Sequence, residues 1–310
     1  MKTKLWIALF ALYIVWGSTY LAIRFAVETI PPFLHASIRF LVSGAILYAW
    51  RRAAGDAVPT KSNWKAAAIV GTLLLLGGNG LVSLAEKTVP SGVAALVIAT
   101  SPFWLTLFET FRAGGAKPNW LSILGLVVGF GGVFLLIGPA EITGSQQNID
   151  PFGAVVLLIA PVLWSLGSIY SKNADMPRST LMSTGMQMLA GAAALFAVSV
   201  ATGELRGFSL GDVSMRSWWG LIYLISFGSL IGFVAYGWLL QNAPISLVST
   251  YAYVNPVVAV FLGWLLADEA LNARIGIAAA IIVGAVILIN WARQVSVRKE
   301  AKEVVPLEIE

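Results

Sequence analysis

His35 and Arg39 stand four residues apart, so on a helix they share one face. His35 is the single histidine of a 310-residue chain that has no cysteine. Disulfides, thiolate metal sites, cysteine nucleophiles and multi-histidine metal centres are therefore excluded. What the pair can do is receive an anionic group. Arginine presents a rigid fork of donors that matches a carboxylate, and imidazole titrates near neutral pH. Arg39 lies six residues past Phe33 in an apolar stretch, about 9 Å along a helix axis. A cation at that depth normally faces a cavity or a partner; snorkelling outward or pairing with Glu86 is the structural alternative. Carboxylates are sparse at depth. Asp56, Asp150, Asp175, Asp212 and Asp268 fall in loops or at helix ends, and of ten glutamates only Glu86 and Glu109 approach an apolar span. Paired aspartates or a Ser-His-Asp cluster cannot be assembled within the spans, which argues against a membrane-embedded enzyme. There is no GxxxxGK[ST] loop and no cofactor signature, so neither ATP, a cofactor nor a metal is expected.

Other polar and aromatic residues interrupt the apolar runs. The candidates for a substrate-lining surface are Trp16, Ser18, Tyr20, His35, Arg39, Asn79, Ser83, Trp104, Trp164, Ser168, Tyr236, Tyr253 and Asn255, with Thr19, Ser165, Trp238 and Tyr251 beside them. Pockets of this kind are largely apolar with a few placed polar groups. The same residue types also hold membrane helices together. Pro102 and Pro256 are candidate hinges. Each removes a helix hydrogen bond and should kink its helix, freeing the carbonyls near Ile98 and Ala252. Freed carbonyls are tolerated only inside protein or beside a wet cavity. The kinks should therefore aim Ser101 and Trp104 at the pathway from one side, and Tyr253 and Asn255 from the other.

The elements that must position these groups follow from composition. Hydrophobic residues make up 58% and charged residues 11% of the chain, with a mean hydropathy of +0.82, against about 45–50% and about 25% in soluble domains. A soluble enzyme, a disordered chain and a nucleic-acid binder are excluded; the net charge of +5 comes from basic residues placed between apolar runs. Ten spans are expected, at about 5–26, 33–50, 66–85, 91–111, 120–138, 152–171, 180–201, 217–240, 246–266 and 274–291. Each approaches the roughly 20 residues that a bilayer-crossing helix needs. Continuous runs such as LVVGFGGVFLLIG lack the alternation of a β-barrel. The expected fold class is thus an all-α integral membrane protein in contact with lipid, its first span an uncleaved helix. If the N-terminus is cytoplasmic, 14 of the 20 lysines and arginines fall in cytoplasmic segments and 4 outside, with Arg24 and Arg39 inside spans. That bias puts both termini in the cytoplasm.

The chain also repeats itself. A shift of 154 residues superposes Pro90 on Pro244, Pro102 on Pro256 and Gly78 on Gly232; a shift of 148 puts Trp16 on Trp164 and Arg24 on Lys172. Residues 5–138 form the first unit, the polar segment 139–150 an extracytoplasmic linker, 151–292 the second unit, and 293–310 a cytoplasmic tail. Five spans per unit make the ten transmembrane helices two inverted five-helix repeats, an arrangement suited to alternating access. Gly125, Gly129, Gly131 and Gly132 in the fifth span are expected to face Gly276 and Gly284 in the tenth as close-packing surfaces.

LAEKTVPSGVAALVIATSPFWLTLFE, WGSTYLAIRFAVETIPPFLHASIRFLVSG and NPVVAVFLGWLLADEALNARIGIAAAIIVGAVILI together resemble the drug/metabolite transporter superfamily, EamA family, over nearly the whole chain. The family usually carries Gly-Glu where this chain has Asp268-Glu269. The resemblance implies a ten-helix, two-repeat secondary transporter of a bacterial inner membrane that exports amino acids, other metabolites or drugs. Its partners would be the bilayer and a small-molecule substrate, with no nucleic acid. A facilitative uniporter and a multidrug exporter in the same fold are the alternatives.

Overall fold

The computed structural model describes residues 2–111, 120–137, 150–243, 248 and 250–303. Among them the regular structure is helical. The helices are α1 (Lys2–Ala26), α2 (Pro32–Ala53), α3 (Lys61–Ala85), α4 (Ser91–Ile98 and Ser101–Phe111), α5 (Trp120–Ile137), α6 (Pro151–Ser171), α7 (Thr180–Ala201), α8 (Met215–Tyr223, Leu224–Ile231 and Gly232–Asn242 in succession), α9 (Tyr251–Ala267) and α10 (Ala273–Glu303). Among the described residues nine are long and apolar enough to cross a bilayer, and α9 is a shorter apolar helix. The linker expected at 139–150, apart from Asp150, and residues 304–310 of the expected tail lie outside the described residues; α10 itself continues to Glu303.

Local chemistry explains where several helices begin. Thr60 and Asn63 form a reciprocal cap on α3, and Asp150, Ser179 and Ser214 cap α6, α7 and α8 by accepting from otherwise orphaned first-turn amides. The Gly153 amide on Asp150 holds that carboxyl below the usual carboxylate range. α4 is broken at Ala99–Thr100, just ahead of Pro102, and the hydroxyl of Ser101 donates to the Ile98 carbonyl at 2.6 Å. α9 carries Pro256 without a break.

The repeats interdigitate rather than sit side by side. α1 packs against α8 and α9, whereas α6 packs against α3 and α4. Each bundle therefore takes its first helix from the other repeat. Two further pairs flank them, α2 with α7 and α5 with α10. In the α2–α7 pair each helix is followed by a carboxylate that meets the start of the other. Glu204, beyond α7, accepts from the Phe33 and Leu34 amides of α2 at 3.2 and 2.9 Å. Asp56, beyond α2, hydrogen-bonds Ser179, the cap of α7, and the Arg51 guanidinium holds its carboxyl below the usual range. Negative charge at a helix N-terminus is stabilising, so the pair is fastened at both ends. At its crossing Gly44 and Gly185 abut: a Cβ on Gly44 would lie 3.0 Å from the Gly185 carbonyl oxygen.

The glycine expectation for α5 and α10 is corrected in detail. Gly125 and Gly132 do receive α10, but through Ile289, Ile281 and Ile282; Gly129 receives the Phe103 ring, while Gly131, Gly276 and Gly284 face open space.

Candidate functional site

Between the two bundles lies a cavity of about 180 Å³. Its walls come from both repeats: Trp16 and Tyr20 of α1, Arg39 of α2, Asn79 of α3, Pro102 of α4, Trp164 of α6, and Asn255 and Pro256 of α9 all line it. The carbonyl-bearing residues Ile98 and Ala252 line it too, as does Ser101.

The repeat mates recognised in the sequence meet in space across the cavity. Gly78 of α3 leaves room for the ring of Trp164, and Gly232 of α8 leaves room for the ring of Trp16; a Cβ at either glycine would collide with the indole. Trp16 is further fixed by a hydrogen bond from its indole N–H to the Gly228 carbonyl at 3.2 Å, and by edge contacts with Phe233 and Tyr251. Both receiving helices widen here. Thr72–Gly80 of α3 and Leu224–Ile231 of α8 adopt the broader i→i+5 winding, a distortion often found at functional sites. These segments supply Gly78 and Asn79 on one side, and Gly228 and Ser229 on the other.

Arg39 is the charged member of the wall. It is 4% exposed. Its Nε donates to Ser229 Oγ at 2.9 Å, its guanidinium lies 4.7 Å over the Phe40 ring, and Gly228 leaves space beside Nη2. Among the described residues it forms no ion pair, and no carboxylate lines the cavity. A guanidinium without an ion pair beside a largely apolar pocket has the chemistry to receive an anion.

Thr19 and Tyr251 line the cavity as well, whereas the other residues singled out from the sequence stand elsewhere. His35 is buried behind Arg39, with Nδ1 2.9 Å from the Pro32 carbonyl and Nε2 without a partner. It shares the helix but not the cavity. Ser18 turns to Tyr223 on α8 at 2.6 Å and to the Ile14 carbonyl; Ser83 and Ser168 donate to the carbonyls of Asn79 and Trp164 one turn back. Trp104 packs against Phe108 and Phe130, Tyr236 joins the aromatic cluster outside Trp16, and Tyr253 packs into the main apolar core. Sequence reasoning missed Ser229, Phe233, the widened segments and the two carboxylates, Glu204 and Glu269, that cap helices of the first repeat. The triplet of glycines at 77, 78 and 80 was the available signal for the widening in α3.

The model of the EamA-like transporter family matches residues 3–138 and again 151–291. The chain belongs to the EamA-like transporter family. It is a membrane transporter built from two copies of the family unit, and the two matches coincide with the repeats that meet around the cavity. The chain is 39% identical to the uncharacterized inner membrane transporter YedA of Escherichia coli (strain K12) over 92% of its own length and 90% of that protein's. It is 24% identical to the uncharacterized transporter YoaV of Bacillus subtilis (strain 168), over 90% of this chain and 94% of that one. A solved crystal structure, 22% identical, superposes with a TM-score of 0.63 over 94% of this chain and 99% of its own, a likeness of fold. Asp268 also explains the departure from the family's Gly-Glu: it adopts a left-handed φ of 52°, which glycine takes without strain and aspartate tolerates.

Proposed function

We propose that the protein is a secondary transporter of the inner membrane, with both termini cytoplasmic, that exports a small carboxylate-bearing metabolite such as an amino acid by alternating access. The observation that carries this reading is Arg39, a buried cation without an acidic partner among the described residues, in the wall of a cavity between two bundles. The size of the cavity supports a small substrate. At 180 Å³ it is close to the roughly 150 Å³ that takes a benzene-sized guest, which suits an amino acid better than a bulky drug. The inner membrane is the setting named for the relative YedA, and the excess of lysine and arginine in the segments assigned inside supports the orientation. Pro102 and Pro256 line the cavity from opposite bundles, which supports reading them as hinges.

The test is an untargeted comparison of the medium from cells with and without overexpression of the protein. A small carboxylate should accumulate several-fold outside the overexpressing cells. Accumulation of cations or neutral apolar compounds alone would contradict the reading. Facilitative uniport is the second reading, favoured by a cavity whose described wall carries no carboxylate. Efflux from proteoliposomes with and without a pH gradient separates the two, because a uniporter of a neutral or zwitterionic solute runs at the same rate in both.

A further inference from the structure

Glu86 follows directly on α3, at the outer end of the bundle formed by α3, α4 and α6. Its side chain is fully buried, and neither carboxylate oxygen has a hydrogen-bond partner. An isolated carboxylate in such a place is expensive to keep charged, by several kcal/mol after relaxation, and the usual resolution is to neutralise it.

Its surroundings belong to the opposite bundle. Arg24 of α1 donates through Nη1 to the backbone carbonyl of Glu86, not to its carboxylate. Glu269, just beyond α9, is the second charge acting on it. The carboxylate of Glu269 is already engaged: it accepts from the Ser91 and Gly92 amides that open α4, at 2.6 and 3.0 Å, in a space that Gly263 leaves free. The charge of the Glu269 carboxylate opposes a second negative charge on Glu86. Tyr20 lies within electrostatic reach of Glu86 and also lines the cavity. From the other elements packed on this segment, α6 contributes Asp150, bound to Thr88 and its own first turn, and α2 contributes His35, turned onto Pro32, and Arg39, bonded to Ser229. Lys87, on the segment itself, is exposed.

We infer that Glu86 is a proton-binding site: it carries a proton while the outer ends of the two bundles are closed, and releases it when they part. On opening, the O–H bond of Glu86 breaks, the proton passes to extracytoplasmic water, and the carboxylate left behind is neutralised by Arg24, which is already in place beside it. Closing requires the proton back, because burial and Glu269 then act against the charge and together outweigh Arg24, which favours it in both states. Low pH thus favours the closed outer face and high pH the open one. The gating half of this inference rests on the alternating-access reading above; the proton-binding half does not.

Two readouts test the halves separately. In infrared spectra of the purified protein in lipid, the parent should show a protonated carboxyl carbonyl band at neutral pH that fades as pH rises. The band should be absent from Glu86→Gln and present in Glu269→Gln. A parent without such a band, which needs no variant to establish, or a band that survives in Glu86→Gln, would overturn the site. For gating, Ala99→Cys in the cavity wall is labelled from outside with an impermeant thiol reagent between about pH 6 and about pH 9. Measured relative to a free model thiol, which removes the rise in thiolate with pH, labelling should accelerate by up to about tenfold per unit, the limit for one linked proton, and the same cysteine in a Glu86→Gln background should label slowly relative to that thiol at every pH. Equal pH dependence with and without Glu86 would overturn the gating role. No labelling of the parent at any pH would overturn it together with the alternating-access reading, leaving the infrared result to stand or fall alone.

Discussion

Arg39→Ala should transport the carboxylate substrate about 10- to 150-fold less efficiently at subsaturating concentration, the equivalent of losing a charge-assisted contact worth about 1.5–3 kcal/mol. Folding should not suffer in parallel. The side chain gives the fold one hydrogen bond, to Ser229, and its contact over Phe40. Against these stands the cost of a buried cation with no acidic partner among the described residues, and that cost disappears with the charge. Thermal midpoint and membrane insertion should therefore match the parent or exceed it. Arg39→Lys should keep part of the activity, since it retains charge but loses the planar fork. Proteoliposome uptake and a melting curve on the same preparations check both halves. Undiminished transport by Arg39→Ala would reduce the residue to a packing role.

The second large effect is on stability. Gly44→Leu should lower the melting temperature and the yield of folded protein, whereas Gly276→Leu should change neither. The contrast is geometric. A Cβ on Gly44 would stand 2.8 Å from Met188 Cβ and 3.0 Å from two backbone atoms of α7, the Gly185 oxygen and the Leu189 nitrogen. Backbone cannot rotate away, and α2 and α7 are fastened to each other at both ends by Glu204 and Asp56, so the pair must be forced apart. Overpacking of this kind costs about 1–3 kcal/mol and occasionally more, a large share of the roughly 5–15 kcal/mol that holds a domain folded. Gly276 is exposed and would meet nothing within 4 Å, and such surface changes stay within about 0.5 kcal/mol. Equal melting of the two variants would remove the crossing as a close-packed feature.

The spans, the duplication and Arg39 were legible because each is a local anomaly in a monotonous sequence. A lone arginine in an apolar helix, a tryptophan repeated at a fixed shift and matching prolines can all be read without knowing the fold. The pairing of Trp16 with Gly232 and of Trp164 with Gly78 could not be read, although all four had been recognised as repeat mates, because spacing says nothing about which helix an indole will meet. The long-range caps were hidden for the same reason: Glu204 reaches amides 170 and 171 positions away, and Glu269 amides 177 and 178 away. His35 misled because helical spacing places it on the face of Arg39, yet it stands in the first turn, where its ring folds onto the Pro32 carbonyl. Ser18, Ser83 and Ser168 misled differently. Each donates to the carbonyl four residues back, as serines in membrane helices commonly do, and none lines the cavity.

The central claim is that substrate crosses by relative motion of the bundle containing α4 against the bundle containing α9. The chain has no cysteine of its own, so a single engineered pair can lock that motion. A Cβ on Gly92 of α4 would stand 3.1 Å from the Cα of Val260 on α9, so the two helix backbones approach closely here. The measurement is efflux of the accumulated carboxylate by Gly92→Cys/Val260→Cys, oxidised and then reduced in the same proteoliposomes. The account predicts transport when reduced, arrest when oxidised and recovery on adding reductant. Full transport through the oxidised, cross-linked protein would contradict it.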